Sequence, residues 1–266
     1  MSQQETEIME RGMLSAGAAS IAPDAKPEDH SDIPLRPRVD ASTIYRTVVQ
    51  VIGFALPWPI RRWLLCKLLG FSIDPTARIG LSLIYADEVV IDKKARLGHL
   101  NYVGRLDRFV MGETSVIARY NWIPGLAKSV NTPFFRGRNN RRSDLILGKG
   151  ALITTWHLID CTDAVIFEDY ASLAGARSQI LTHGIDILRN RQACGRVHLG
   201  AYTIVATGSI VLKGVAIADR CIVGAGSVVI NSVKEPYSWV AGNPAVLVRK
   251  MPENSKLLHR TEPTVY

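Results

Sequence analysis

The sequence predicts an all-β fold, a parallel β-helix built from six-residue rungs, and three observations carry that reading. Residues 199–234 run LGAYTI-VATGSI-VLKGVA-IADRCI-VGAGSV-VINSVK, with an aliphatic residue at every sixth position: Leu199, Val205, Val211, Ile217, Val223 and Val229. Four residues after each stands a small or β-branched one: Thr203, Ser209, Val215, Cys221, Ser227 and Val233. Gly200, Gly208, Gly214, Gly224 and Gly226 fall where a tight corner needs little bulk. A helix repeats at 3.6 residues and a flat strand at 2. A period of six belongs to a coil in which each short strand turns a corner and stacks on the coil below.

The same frame is visible upstream. Counting from Ile73, the inward positions are Ile73, Ile79, Tyr85, Ile91, Leu97 and Val103; the frame slips by two and resumes at Met111 and Ile117. It restarts at Leu147, runs through ITTWHL and IDCTDA, and slips by two again before Phe167 and Leu173. A β-helix domain over 72–252 follows. Two stretches break the repeat. Residues 124–144 carry Arg136, Arg138, Arg141 and Arg142 beside Phe134 and Phe135. They predict a loop thrown out from a corner: either a solvated basic loop, or a lip for an anionic acceptor, a lipid surface or a neighbouring subunit. Residues 184–196 form the second break and directly follow His183. A loop beside a reactive side chain suits covering it.

The flanks differ from the repeat. Residues 1–40 hold eight acids and four bases, a net −4 within a chain of +8, so the remainder carries +12. Their low apolar content predicts a flexible acidic tail. Residues 41–71 are apolar, with Trp58, Trp63, Arg61, Arg62 and Lys67 interleaved. The uninterrupted apolar run is too short to span a bilayer and holds two prolines. This segment reads as a helical cap on the open end of the coil stack, which solenoids require, or as a peripheral membrane contact through 47–71; the two are compatible. Residues 253–266 form a short polar C-terminal tail. The opening residues are acidic and no apolar run follows, so no signal peptide is expected. Cys66, Cys161, Cys194 and Cys221 have no paired metal spacing and read as reduced thiols. The location expected is the cytoplasm, or the inner face of the membrane. A basic body suits an anionic partner, yet no nucleic-acid motif appears, so nucleic acid is not expected.

VGAGSVV followed by VAGNPAVLVRKM, together with SQILTHGID at 178–186, resembles the hexapeptide-repeat acyltransferases over roughly residues 60–252. The similarity is to the maltose/galactoside O-acetyltransferases and to the O-acetyltransferases of polysaccharide biosynthesis. It implies a left-handed parallel β-helix, a homotrimer, and an O-acyltransferase moving an acetyl group from acetyl-CoA to a hydroxyl of a sugar, glycan or glycolipid precursor. Acetyl-CoA is then a co-substrate, with no permanently bound cofactor and no metal. The resemblance also implies that backbone groups of the later coils, at Ala206, Gly224 and Ala225, meet the pantetheine arm. Gly242, Asn243 and Pro244 turn the chain back beside it. Arg249 and Lys250 are placed to meet phosphates, or are ordinary surface charges.

His183 is the candidate base. A sugar hydroxyl is a poor nucleophile until its proton is removed, and imidazole titrates nearest neutrality. A bland loop histidine is the alternative, which the THGID setting disfavours. A base needs an orienting group on its other ring nitrogen. Asp186 stands three residues on, where the family's HPxD-like motif has its acid, with Gly184 in place of the proline. Asp160, in WHLID, is the other candidate, and either acid could instead touch the acceptor. His157, in the same segment, reads as a substrate contact or a structural residue. No cysteine or serine shows an activated pattern, which favours direct transfer. The rival readings are a metal enzyme with three histidine ligands, whose short-spaced histidine pair is absent; a non-catalytic scaffold or sugar-nucleotide-binding module; and N-acetylation of an amino sugar.

Overall fold

The computed structural model describes residues 41–130, 132, 134, 135 and 140–262. The acidic stretch 1–40, Arg136, Arg138 and residues 263–266 lie outside the described residues. The chain forms a parallel β-solenoid of about eight turns, preceded by two helices. Its strands fall in three columns, one per face. The first face stacks Ile73, Ile91, Met111, Leu147, Phe167, Leu199 and Ile217 in register. The second stacks Ile79, Leu97, Ile117, Ile153, Leu173, Val205, Val223 and Val240. The third carries Ile84, Val103, Ile123, Ile159, Ile180, Val211 and Val229. All of these side chains are buried, so the core is one continuous column of aliphatic rungs. Fully burying such a side chain contributes about 1.5–3 kcal/mol, which is why the six-residue spacing determines the fold.

The small residues at the corners have a second use. Thr203 Oγ1 donates to the Ala218 carbonyl at 2.9 Å, and Ser209 Oγ donates to the Gly224 carbonyl at 3.0 Å. These hydroxyls pair main-chain groups that the turn leaves without a ladder partner. Gly226 sits at φ +68, where glycine carries no Cβ penalty. Gly224 serves close approach instead, because a Cβ there would lie 2.8 Å from the Ala241 Cβ.

The frame differs from the sequence reading at one rung. Ile84, not Tyr85, points inward on the third face, since the first coil reaches that face one residue early. Tyr85 is half-buried on the outside, its hydroxyl 2.9 Å from Thr47 Oγ1.

Helix α1 (Ala41–Phe54) and helix α2 (Trp58–Leu69) lie across the first coil. A parallel solenoid leaves unpaired strand edges at its ends, and these helices supply the missing partners. Gln50 takes both main-chain groups of Ile84: Oε1 accepts from its N–H at 2.8 Å and Nε2 donates to its carbonyl at 3.0 Å. Arg61 donates to the carbonyls of Ile79 and Gly80 at 3.1 and 2.9 Å, and Arg62 to that of Ile73 at 2.9 Å. One side chain therefore reaches the open edge of each face.

At the far end, strands Ser238–Gly242 and Ala245–Lys250 form an antiparallel hairpin. A short 3₁₀ turn, Lys256–His259, then buries Leu258. The Arg260 guanidinium lies over Tyr170 and Tyr202, and Tyr170 donates to the Thr261 carbonyl at 2.9 Å.

Both interruptions of the repeat leave from the same edge of the prism, the corner between the third and first faces. Residues 125–143 depart after Ile123, and residues 183–196 depart after Ile180 two coils later. The second is not an irregular loop. His183–Asp186 and Arg191–Cys194 pair as an antiparallel hairpin, with His183 opposite Cys194.

Candidate active site

The corner shared by the two insertions brings Asp160 and His183 together. Asp160 ends the third-face strand Leu158–Asp160, and the next coil carries Gln179–Leu181 directly against it. That stacking sets the base above the acid although they are 23 residues apart. Asp160 Oδ2 lies 2.7 Å from His183 Nδ1 and accepts the His183 main-chain N–H at 3.0 Å. The same oxygen accepts from Thr182 N at 2.8 Å and Thr182 Oγ1 at 3.0 Å. Oδ1 accepts from Thr162 N at 3.0 Å and Thr162 Oγ1 at 2.7 Å. Burial of Asp160 opposes its charge, but the hydrogen bonds from His183 and Thr162 outweigh it and hold the carboxyl below its ordinary range.

An ionised Asp160 accepts the Nδ1 proton, which fixes the tautomer and leaves the Nε2 lone pair outward. Nε2 carries no hydrogen bond among the described residues, and the ring is exposed at the corner. The hydrogen bond to Asp160 raises the His183 pKa; partial burial and the charge of Lys213 lower it. Lys213 belongs to the next coil, and a Cβ on Gly184 would sit 3.5 Å from its Nζ.

The first insertion closes in from the other side. Phe135 meets the His183 ring edge-on, with centroids 6.5 Å apart. Arg141 is buried beneath it, donating to the Thr162 carbonyl at 2.7 Å and to that of Leu126, with its guanidinium 5.4 Å from the Phe135 ring centre. Arg142 pairs with Asp144 at 3.2 Å. Arg141 is thus a tie for the loop, not a solvated charge.

Asp186 is placed elsewhere. Three residues on in an extended strand lies roughly 10 Å away and on the opposite side. Its carboxylate accepts from Arg189 N at 3.1 Å and pairs with Arg189 Nη1 at 3.0 Å. The structure therefore brings Asp160, not Asp186, to the imidazole.

Of the two readings the sequence leaves open for His157, substrate contact or structural residue, its surroundings favour the structural one. It is 2 % exposed, and both ring nitrogens are engaged: Nδ1 accepts from Ser178 N at 3.1 Å, and Nε2 lies 2.9 Å from Thr154 Oγ1. It extends a polar column of Asn101 and Asn121 at the corner between the second and third faces. Burial pushes its pKa down to about 4.

The residues expected at coenzyme A form a second group across the third face from His183. Ala206, Gly224 and Ala225 follow successive second-face strands, and Asn243 lies in the closing hairpin turn. The Arg249 guanidinium stacks 4.5 Å from the Trp239 ring centre. Lys250 pairs with Glu235 at 2.7 Å and donates to Pro236 O and Ser238 Oγ, each at 3.1 Å.

Thr162, Thr182 and Lys213 were not singled out from sequence. Thr182 was discoverable as the residue beside His183; Thr162 and Lys213 reach the site only through stacking. Among the described residues, no three His, Cys, Asp or Glu side chains gather as a metal would require.

An outward imidazole backed by a buried carboxylate, at one corner of a hexapeptide solenoid, defines a candidate proton-transfer site. No protein-family model matches the chain. A Staphylococcus aureus (strain COL) protein carrying the name "Putative acetyltransferase" is 38% identical over 60 residues, which is 23% of this chain and 30% of that protein. A second, from strain Mu50, is 34% identical over 73 residues, 26% of this chain and 36% of its own length. The chain thus spans about a third of the curated relatives it matches. Among solved structures, a hexapeptide-repeat acetyltransferase of Vibrio cholerae complexed with acetyl coenzyme A aligns over 81% of this chain and 92% of its own, at 17% identity and TM-score 0.41. A maltose O-acetyltransferase from Clostridium difficile aligns over 79% and 86%, at 15% identity and TM-score 0.32.

Proposed function

We propose that the chain is an acyltransferase that moves an acetyl group from acetyl-CoA to a hydroxyl of a sugar or glycan. The observation that carries this reading is the 2.7 Å pair between His183 Nδ1 and the buried Asp160, which leaves Nε2 open as a base. The acetyltransferase name of its partial relatives supports the class of reaction. In this mechanism His183 Nε2 takes the acceptor hydroxyl proton as its oxygen bonds to the thioester carbonyl carbon. The tetrahedral oxyanion, held by a main-chain N–H, collapses; the C–S bond breaks; the thiolate leaves and takes the proton from the imidazolium. Cys161 is fully buried, which pushes its thiol well up and disfavours an acyl-enzyme on it.

Ala206, Gly224, Ala225 and Asn243 would receive the pantetheine arm, with Arg249 and Lys250 near the phosphates. A homotrimer sharing sites between chains fits the apolar outer third face, where Leu158, Ile210 and Val228 are half-buried and Ile230 exposed. A peripheral membrane contact through 47–71 fits the exposed Val48, Val51, Ile52, Ile60, Trp63 and Leu68. No helix among the described residues is long and apolar enough to cross a membrane.

The test is thiol release from acetyl-CoA with a panel of sugars, amino sugars and glycans. His183→Ala should lower kcat by about 10²–10⁴-fold with the solenoid intact by circular dichroism, and Asp160→Asn should lower it in the same direction. Near wild-type turnover in His183→Ala would refute the assignment. Transfer to amines only would move the reading to N-acetylation.

A further inference from the structure

The turn of the hairpin that carries His183, Ile187-Leu188-Arg189-Asn190, closes on Asn190 at φ +44, a usual turn residue, but opens on two large apolar ones. Connections at hairpin tips favour Gly, Pro, Asn, Asp and Ser. Here the tip is Ile187–Leu188, 88% and 95% exposed, the most exposed large apolar side chains described. Ile185, 66% exposed, continues the patch, and lies two residues from His183, hence on the same side of the strand. Nothing in the described chain covers these side chains, and the fold does not need them, since the core column bypasses the hairpin. Their chemistry therefore serves contact with something outside the chain.

The charges beside the patch indicate what. Arg189 and Arg191 flank the apolar tip, while Arg196 and Lys213 stand at the base of the hairpin beside Gly184 and Gly195. Arg189 pairs with Asp186, whereas Arg196 and Lys213 make no ion pair or side-chain hydrogen bond among the described residues. Aliphatic side chains flanked by free cations are the pattern of an element that dips into the headgroup region of an anionic membrane. The outer side of α1 and α2 repeats it, with Ile44, Val48, Ile52 and Trp63 exposed near Lys67.

We propose that the tip Ile185–Leu188 inserts into the interface of an anionic lipid bilayer, so that His183 faces an acceptor held at that surface. This rests on the reading of His183 as the base only for its purpose, not for the contact itself. The test is co-sedimentation of the full chain with vesicles of phosphatidylcholine, with and without phosphatidylglycerol, in the absence of acetyl-CoA and acceptor. Binding to the anionic vesicles is expected. It should fall about tenfold in Ile187→Ser/Leu188→Ser, and Arg191→Glu should weaken it at low salt but little at high salt. His183→Ala should bind like wild type, so loss of the catalytic reading leaves this result standing. The proposal is overturned if wild type ignores anionic vesicles or if the double variant binds unchanged. It is equally overturned if the double variant changes the sedimentation coefficient without lipid, which would make the tip a seal between copies of the chain.

Discussion

At His183 two neighbours act in opposite directions. The hydrogen bond to Asp160 favours the protonated ring, while the Lys213 ammonium disfavours it. A base must be neutral to act, so kcat/KM should rise with pH through the His183 pKa, on a limb above that of free imidazole. Lys213→Met removes a repelling charge and should move that limb to higher pH; Asp160→Asn should move it lower. Titration of the His183 ring by NMR reads both shifts without any substrate, and no movement in Lys213→Met would remove Lys213 from the account. His157 behaves in the reverse sense. Its pKa is lowered to about 4 from 6.5 by burial, so the unfolded chain takes up a proton that the folded chain refuses. Stability should therefore fall as pH drops from 6.5 towards 4, by roughly 3 kcal/mol. His157→Asn should flatten this limb in urea titrations, and an unchanged limb would exclude the residue. Four residues, His183, Asp160, Asp186 and His157, show how much of the site is legible in the sequence. His183 was visible from its local setting. Asp160 and Asp186 were not separable, because choosing between them needs the coil-to-coil register, which the two-residue slips obscure. His157 stays open between substrate contact and structural residue in the sequence because its partners, Asn121 and Ser178, belong to neighbouring coils.

Among the elements, α1 and α2 act through main-chain pairing as much as through apolar contact. Gln50→Ala would leave the Ile84 N–H and carbonyl without partners, at a cost of about 1–3 kcal/mol. Val48→Ser, on the exposed side of the same helix, should change stability by no more than about 0.5 kcal/mol. Thermal denaturation compares the two, and equal effects would mean that the edge of the third face is not sealed by Gln50. The composition of 41–71 showed an apolar, helical segment. It could not show which polar side chains turn inward, since Gln50 and Arg61 are buried for hydrogen bonding, against their usual preference. The hairpin at 183–194 is equally hidden, because Asn190 is the one turn-favouring residue in its Ile187–Asn190 turn.

For the whole molecule, periodicity alone specified most of the architecture. From Ile91 onward the inward residues read from the sixfold frame are the buried ones, because each rung repeats the same environment. The misplaced rung, Tyr85 for Ile84, falls in the first coil, where the partner above is a helix and the spacing is no longer imposed by a coil on each side.

Both excursions from the prism leave along one edge, and the rungs on either side of each keep their register. Chain length can therefore change there without disturbing the remaining ladder. Related sequences should tolerate insertions and deletions within 125–143 and 184–196 far better than within any rung. Exchanging these two segments between relatives would be the least disruptive way to redirect what such a protein accepts.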